Sequence, residues 1–217
     1  MSKRDSKLQH DVMEELAWDP RIDHAGIGVA GMGGVVSLNG FVTCFAEKLA
    51  AERAAMRVEG VKAVANEIKI RFASDRKLAD HEIAKRIRDI FEYNVLIPED
   101  AIQITVDGGW VKLSGIVEWH FQSEEAARAA SKISGVTGVS NGIVLRSKMG
   151  ISDIRRRIED AFKRQAGLDA ASVQIDMSGT KVTPSGSVKA LHERWLAEQA
   201  AWLAPGVTQV EDKIIVV

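Results

Sequence analysis

The sequence predicts an α+β protein of three tandem α-β-β-α-β modules, each a three-stranded sheet covered on one face by two helices. Three observations lead to this fold class. First, a phrase of the form G-V-x-x-V-x-[ND]-x-[IV] occurs three times, beginning at Gly60, Gly135 and Gly206. Second, another glycine lies 20 residues before each copy, at Gly40, Gly115 and Gly186. Third, the apolar periodicities around these glycines keep one register in all copies, as tandem repeats do.

Each module is predicted to start with a helix. Its apolar residues recur every four positions, which places them on one helical face turned toward a core. Asp5 or Ser6 can cap the amides at the start of the first helix, and Pro20 ends it. The three predicted core stripes are Leu8, Val12 and Leu16, then Ile83, Ile87 and Phe91, then Ile154, Ile158 and Phe162.

A β-hairpin is predicted to follow the first helix in each module. Ile27 and Val29 alternate with other residues in the pattern of a half-buried strand, and glycines within 31–34 permit a hairpin turn. Gly26–Gly31 also matches the dinucleotide-binding pattern G-x-G-x-x-G, but that pattern must open a helix, whereas here a second strand follows. In the third module, Pro184 replaces an aliphatic residue and removes a backbone donor, which predicts an edge strand or a bulge.

The second helix of each module has a stripe of alanines, such as Ala51, Ala54 and Ala55, that favours helix and lets the backbone lie close to the sheet. The glycine that opens the repeated phrase is predicted to end this helix as its C′ residue, and the phrase then forms the third strand. The strand–helix–strand crossover is predicted to be right-handed. The predicted module boundaries are residues 5–71, 79–147 and 150–217.

Composition excludes several classes of protein. The net charge of the 217 residues is −1, and each third of the chain is within one charge of neutrality, so no part has the basic excess of a nucleic-acid-binding surface. The one cysteine, Cys44, cannot form an intramolecular disulfide. No apolar run approaches the length of a transmembrane helix, and the charged N-terminus lacks the apolar core of a signal peptide. These features predict a soluble cytoplasmic protein.

The sequence contains no catalytic, metal-binding or cofactor-binding constellation. The five histidines occupy five different positions of the repeat, and none is paired with another at the spacing of metal ligands. Cys44 lies near the predicted start of a helix, where thiols can gain reactivity, but no base or orienting group accompanies it in the pattern. These observations predict a protein that is not an enzyme and has no cofactor.

A two-helix, three-strand module of this length resembles the BON domain, named after bacterial OsmY and nodulation proteins. The resemblance rests on the glycine after the second strand and on the phrase that leads into the third, and it covers nearly the whole chain in three copies. It implies a non-enzymatic α/β domain associated with osmotic stress, the cell envelope and binding to phospholipid or the membrane interface. Many relatives carry a signal peptide or a lipid anchor; this sequence shows neither and resembles the cytoplasmic branch with three modules.

Residues that differ between the copies are the candidates for binding. The lipid- or partner-binding candidates are Trp119, Phe121, Arg155, Arg156 and Arg157. Trp119 and Phe121 follow the second strand of the second module, and their aromatic side chains suit a lipid headgroup region, a partner or an interface between modules. The arginines lie opposite the predicted core stripe of their helix, where interleaved acidic residues also fit a solvated, salt-bridged face. The six repeated glycines are predicted to be structural.

The sequence leads to two hypotheses of function. The first is a stress-associated binding or scaffold protein that contacts anionic phospholipid or an envelope-associated, membrane-proximal protein, with no nucleic-acid partner. The second is a sensor of a small solute or of a monovalent cation such as potassium, which backbone carbonyls in the glycine turns would coordinate.

Overall fold

Three α+β modules are present, as the sequence predicts. The computed structural model describes residues 3–72, 78–146, 173–204 and 206–217, so the predicted first helix of the third module lies outside the described residues. The first module contains α1 (Lys3–Trp18), β1 (Ile27–Met32), β2 (Val35–Val42), α2 (Phe45–Arg57) and β3 (Ala63–Ile70). The second contains α3 (Asp80–Tyr93), β4 (Ile102–Asp107), β5 (Trp110–Val117), α4 (His120–Ser131) and β6 (Gly138–Leu145). The described part of the third contains β7 (Val173–Ser178), β8 (Lys181–Val188), α5 (Leu191–Trp202), β9 (Gln209–Val210) and β10 (Lys213–Val216).

The second strand of each hairpin lies at the centre of its sheet. The strand orders are β1-β2-β3, β4-β5-β6 and β7-β8-β10, and the short β9 also pairs with β8. In the second module, β4 and β5 form an antiparallel hairpin that is closed by the turn between Asp107 and Trp110. β6 runs parallel to β5, with Trp110 opposite Gly138. A parallel neighbour requires a crossover connection, which α4 supplies.

In the first two modules, whose first helices the structure describes, the predicted apolar stripes of those helices are buried in the cores. In the second module, Ile83, Ile87 and Phe91 of α3 share one buried cluster with Val111 and Leu113 of β5. The alanine stripe of α4 belongs to the same cluster, and the alanine stripes of α2 and α5 are buried in their own modules. Because an alanine side chain ends at Cβ, these helices lie close to their sheets over a thin apolar layer.

The glycine that opens the repeated phrase does not end the helix as predicted. α4 has its C-cap at Lys132, three residues before Gly135, and α2 likewise ends at Arg57, before Gly60. Gly135 instead has a φ of 92° in the turn that leads into β6. Its carbonyl lies so close to the hairpin turn that a Cβ on Gly109 would be 2.5 Å from it. The glycines are therefore required where these two turns approach each other.

Pro184 lies in the central strand β8 and pairs with β7 in unbroken register, so the predicted edge strand or bulge is wrong. Its partner on β7 is Ile175. Because an antiparallel ladder alternates, the missing N–H of Pro184 would point away from β7 and toward the third strand. That strand is interrupted at Glu211 and Asp212, between β9 and β10, whereas β3 and β6 are continuous. The proline thus stays in the centre of the sheet and breaks the pairing of the strand beside it.

An aspartate at the start of the first helix binds the hairpin turn. The Asp80 carboxylate accepts hydrogen bonds from the amides of Gly108 at 2.8 Å and Gly109 at 2.9 Å. In the first module, Asp5 accepts a hydrogen bond from the amide of Gly33 at 3.0 Å. The start of α3 therefore lies at the end of β4, and the two elements run antiparallel. The sequence predicts only helix capping for Asp5, so this long-range contact is a finding of the structure.

The chain forms two compact units whose boundaries differ from those of the modules. One unit comprises Met1–Asn39, Ala50–Glu67 and Ser147–Val217. The other comprises Gly40–Leu49 and Ile68–Arg146, and so contains the second module with two segments of the first. Within this second unit, Phe45 at the start of α2 packs against the core of the second module.

Candidate functional site: an exposed apolar tip

An apolar tip, formed by Tyr93, Val95 and Leu96, lies at the end of α3 in the second module. Tyr93 is 82 %, Val95 98 % and Leu96 47 % exposed. Ile90, one turn earlier on α3, is also exposed, and an open concavity of about 500 Å³ lies beside these side chains. Single exposed apolar residues are common on protein surfaces, but several at one place indicate a contact site.

Asn94 fixes the backbone of the tip. Its N–H donates to the Phe91 carbonyl at 3.2 Å, and its carbonyl accepts from the Ile97 amide at 2.9 Å. Its side-chain Oδ1 accepts from the Leu96 amide at 3.0 Å, and its Nδ2 donates to Glu125 of α4 at 3.1 Å. Phe91 and Ile97 are buried on either side. The turn between them therefore holds the apolar side chains in solvent on an ordered backbone.

The first module has the same turn with charged residues. Asp19 occupies the place of Asn94: its carbonyl accepts from the Ile22 amide at 3.1 Å, and its Oδ1 accepts from the Arg21 amide at 3.1 Å. The Arg21 guanidinium also binds the carboxylate, with Nη2 2.6 Å from Oδ2. A proline and an arginine thus stand where the second module has two aliphatic residues, so of the two turns that the structure describes, that of the second module is the apolar one.

Asp19 is the centre of a cluster of charges at the end of α1. The hydrogen bond from the Arg21 side chain is the main cause that lowers the pKa of Asp19 to about 2; burial opposes this shift, and Arg57 adds to it. Arg57 Nη2 also lies 2.7 Å from Glu15 Oε1, and this ion pair connects the end of α2 to α1. In the second module, the neutral Asn94 replaces this carboxylate.

Of the sequence-predicted residues, Phe121 lies on the same side of the second module as the tip. It is 48 % exposed and precedes Glu125 by four residues on α4, which puts the two side chains on one helix face. Glu125 accepts the hydrogen bond from Asn94, so this face of α4 adjoins the tip. Trp119 is half-buried instead, and its amide donates to Gln122 Oε1 at 3.0 Å in the helix cap.

Along α3, one basic side chain lies in line with the tip. Arg86 is exposed and precedes Ile90 and Tyr93 by four and seven residues on α3, so the three share a stripe. Burial lowers the pKa of His120, against the opposing effect of the Glu124 carboxylate, and so disfavours its charged form. The other predicted candidates, Arg155, Arg156 and Arg157, lie outside the described residues.

The tip is absent from the sequence-based candidates, although the sequence contains a signal for it. When the first two modules are aligned by their core stripes, Pro20 and Arg21 of the first module stand at the positions of Val95 and Leu96 of the second. An aliphatic pair in a turn that is polar in the neighbouring copy is unusual. The alignment by itself does not say whether such a pair is buried or exposed, and the structure resolves that question.

Two further findings concern the described part of the chain. No helix in it has the length and apolar character that are needed to cross a bilayer. It also contains no group of three or more histidine, cysteine, aspartate or glutamate side chains that would hold a metal ion. Cys44, partly buried, is a free thiol.

Comparison with known proteins gives three matches to one family model. The BON domain model matches residues 4–71, 79–147 and 151–217. The chain is 28 % identical to "Osmotically-inducible protein Y" of Escherichia coli (strain K12) over an alignment of 143 residues. This alignment covers 64 % of this chain and 71 % of that protein. Two structures of CdsD, a structural protein of the type III secretion system of Chlamydia trachomatis, align over 97 % of this chain and 92 % and 97 % of theirs, at 13 % identity. Their TM-score of 0.27 carries no argument about the fold.

Proposed function

The chain belongs to the BON domain family, and on that premise we propose that it is a stress-associated, non-catalytic binding protein whose second module contacts anionic phospholipid through the apolar tip. The observation that carries this proposal is the exposure of Tyr93, Val95 and Leu96 on a turn that Asn94 holds in place. The name of the Escherichia coli relative, an osmotically inducible protein, supports a role in the response to osmotic stress.

The chemistry of the tip suits the boundary between lipid headgroups and acyl chains. Moving an aliphatic side chain such as Val95 or Leu96 out of water contributes about 1.5–3 kcal/mol. Tyr93 has an aromatic ring and a hydroxyl, the combination that favours the interface. Arg86 contributes about 1 kcal/mol toward an anionic surface. Val95, Leu96 and Arg86 together contribute about 4–7 kcal/mol to the free energy of membrane binding, which corresponds to reversible, peripheral association.

Vesicle co-sedimentation of the full chain tests this proposal. The protein is expected to pellet with phosphatidylglycerol vesicles and not with phosphatidylcholine vesicles. Changing both Val95 and Leu96 to serine removes most of the apolar contribution, so the bound fraction should fall about tenfold or more. The matched control changes Ile116 and Val144 to serine, because these are also exposed apolar residues but pair with each other on β5 and β6 and are not part of the tip.

Three results would reject the lipid contact or its location. Equal pelleting with neutral and anionic vesicles would remove the anionic preference. Unchanged pelleting of the Val95 and Leu96 double variant would remove the tip as the contact site. If the wild-type chain does not pellet at all, the membrane-proximal protein partner becomes the hypothesis to test, with the same pair of variants.

A further inference from the structure

A groove of about 550 Å³ lies between α3 and β4 in the second module. Ala84, Ile102 and Ile104 are among its apolar lining residues, and charged side chains line it as well. None of the tip residues lines it, so it is a separate feature of the surface.

The strand beside the groove has a free edge. β4 pairs with β5 on one side, and within the described ranges no other strand pairs with it. Asp107 and Trp110 close the hairpin, and the alternation of the ladder then directs the backbone N–H and C=O groups of Ile102, Ile104 and Val106 away from β5. Edge groups of this kind are a template for one more strand.

The corresponding edge of the first module is covered by its helix. Gln9 of α1 donates a hydrogen bond from Nε2 to the carbonyl of Val29 at 2.8 Å, the position that corresponds to Ile104. Gly31 lets the helix and the strand approach closely, since a Cβ there would lie 3.3 Å from the Asp5 carbonyl. α1 therefore supplies the edge of β1 with a donor from within the module.

Two differences between the copies open this edge in the second module. Aligned by the core stripes, Ala84 stands where the first module has Gln9, and alanine has no donor for the edge carbonyl. Val106 stands where the first module has Gly31, so a partly buried side chain occupies the place of close approach. The third copy has Arg155 at the first of these positions, so only the second module has a small side chain there.

The charged residues divide the groove into a basic end and a mixed end. α3 runs antiparallel to β4, because the start of the helix binds the turn after the strand. His81 and Lys85, in the first half of α3, therefore lie toward the end of β4. Arg88, Glu99 and Asp100 lie toward its start, where the acidic pair offsets the arginine.

We propose that this groove binds an extended peptide that adds to β4 as a fourth strand and directs an acidic side chain toward His81 and Lys85. Backbone hydrogen bonds with Ile102, Ile104 and Val106 would supply affinity for any extended chain, and alternate side chains would enter the apolar part of the groove. The basic end adds a preference for acidic sequences. The site requires no membrane and does not depend on the lipid proposal.

Two heptapeptides serve as probes: Thr-Val-Thr-Val-Thr-Asp-Thr and the same sequence reversed, so that both strand directions are covered. One of the two is expected to slow amide hydrogen exchange of Ile102, Ile104 and Val106 in the full chain about tenfold. Lysine in place of the aspartate is expected to weaken binding about tenfold. Proline at the central position, which removes a ladder donor, is expected to abolish it.

The variant Ala84→Gln tests the groove itself. The new side chain is expected to cover the edge carbonyl as Gln9 does, and to lower peptide affinity about tenfold. Glu92→Gln introduces the same side chain at an exposed position of α3 that does not line the groove, so binding should be unchanged. Thermal melting of both variants checks that the fold is retained.

Three outcomes would overturn the proposal. The first is equal affinity of wild type and Ala84→Gln for the peptide, and the second is equal affinity of the aspartate and lysine peptides. The third is protection of the Ile104 amide without peptide, together with a concentration-dependent dimer in sedimentation, which would assign the edge to a second copy of this chain. The Val95 and Leu96 double variant should bind the peptide normally, which separates this site from the tip.

Discussion

At the scale of single residues, the asparagine or aspartate of the repeated phrase connects the third strand to the second helix. Asn141 donates from Nδ2 to Ser123 Oγ at 2.8 Å, and Asp212 accepts from the guanidinium of Arg194. Asn66 donates to a glutamate of α2 at 3.0 Å. Both residue types fit this position because the helix partner is an acceptor where the phrase has asparagine and a donor where it has aspartate.

The charge cluster around Asp19 predicts a pH dependence of stability. Because Arg21 lowers the folded-state pKa of Asp19 to about 2, below the usual value of about 3.9, the ionised form stabilises the folded state. This contribution is fully present above about pH 5 and is lost as the pH falls toward 2. Arg21 is 69 % exposed, so water screens the pair, and we expect about 1 kcal/mol.

Asp19→Asn is therefore expected to lower the free energy of unfolding by about 1 kcal/mol near pH 6 and to match wild type near pH 2. Urea unfolding at the two pH values measures this difference. Asp100→Asn, a change at an exposed carboxylate before β4, is the control and should change stability little at either pH. A constant deficit of Asp19→Asn across the pH range would contradict the assignment.

At the scale of elements, Pro184 shows how one residue changes a strand other than its own. Leu38 and Leu113 occupy the equivalent positions and are fully buried in continuous sheets. Pro184→Leu restores a ladder donor and adds apolar volume, so we expect a gain of about 1 kcal/mol in the free energy of unfolding. Amide exchange at Glu211 and Asp212 should slow as β9 and β10 join, which mass spectrometry can measure.

Pro184→Ala separates the two contributions, since it restores the N–H without the larger side chain. It should slow the same amides and leave the gain in stability smaller. The reciprocal change, Leu113→Pro, is expected to interrupt β6 and to cost about 3 kcal/mol. If Pro184→Leu leaves the exchange of Glu211 and Asp212 unchanged, the missing donor is not the cause of the interruption.

At the scale of the whole molecule, a residue of the first module packs against the core of the second. Phe45 belongs to α2 but packs, partly buried, against the core that contains Ile87 and Leu113. Phe45→Ala removes most of a partly buried aromatic side chain, so we expect a loss of about 2 kcal/mol in the compact unit that holds the second module. Faster amide exchange in Trp110–Val117 would measure this loss.

Leu191→Ala is the matched control for Phe45→Ala, because Leu191 has the same position in the third module. It should leave exchange in Trp110–Val117 unchanged, since Leu191 is not part of that core. Equal exchange in wild type and Phe45→Ala would show that the second module does not need the first for its stability.

Most of the fold is predictable from the sequence because its signals are local and repeated. Leu8, Val12 and Leu16 follow a helical period, and the same period recurs in the second module at the same distance from the marker glycine. All six of these side chains are buried. The helix ends before the predicted residue because Gly135 belongs to a turn that contacts Gly109, 26 residues earlier, and no local pattern records that contact.

The candidate sites were less predictable, because exposure depends on contacts between distant residues. Phe121 is exposed beside the tip, but Trp119 is half-buried in a helix cap, and the sequence treats the two alike. Val95 and Leu96 resemble core residues in the sequence. They are exposed because the neighbouring Asn94 forms a turn that buries Phe91 and Ile97 instead.

The number of modules and, in the described part of the chain, the order of their elements and the residues of their cores follow from the sequence, because periodicity acts over a few residues at a time. Which surfaces remain open, in contrast, follows from contacts in the folded protein. The Gln9 side chain donates a hydrogen bond to a carbonyl on the edge of β1, 20 residues later in the chain. Ala84 has no such donor, and the edge of β4 borders an open groove. Whether a strand edge or a turn meets solvent depends on such long-range contacts, which the pattern of residues along the chain does not contain.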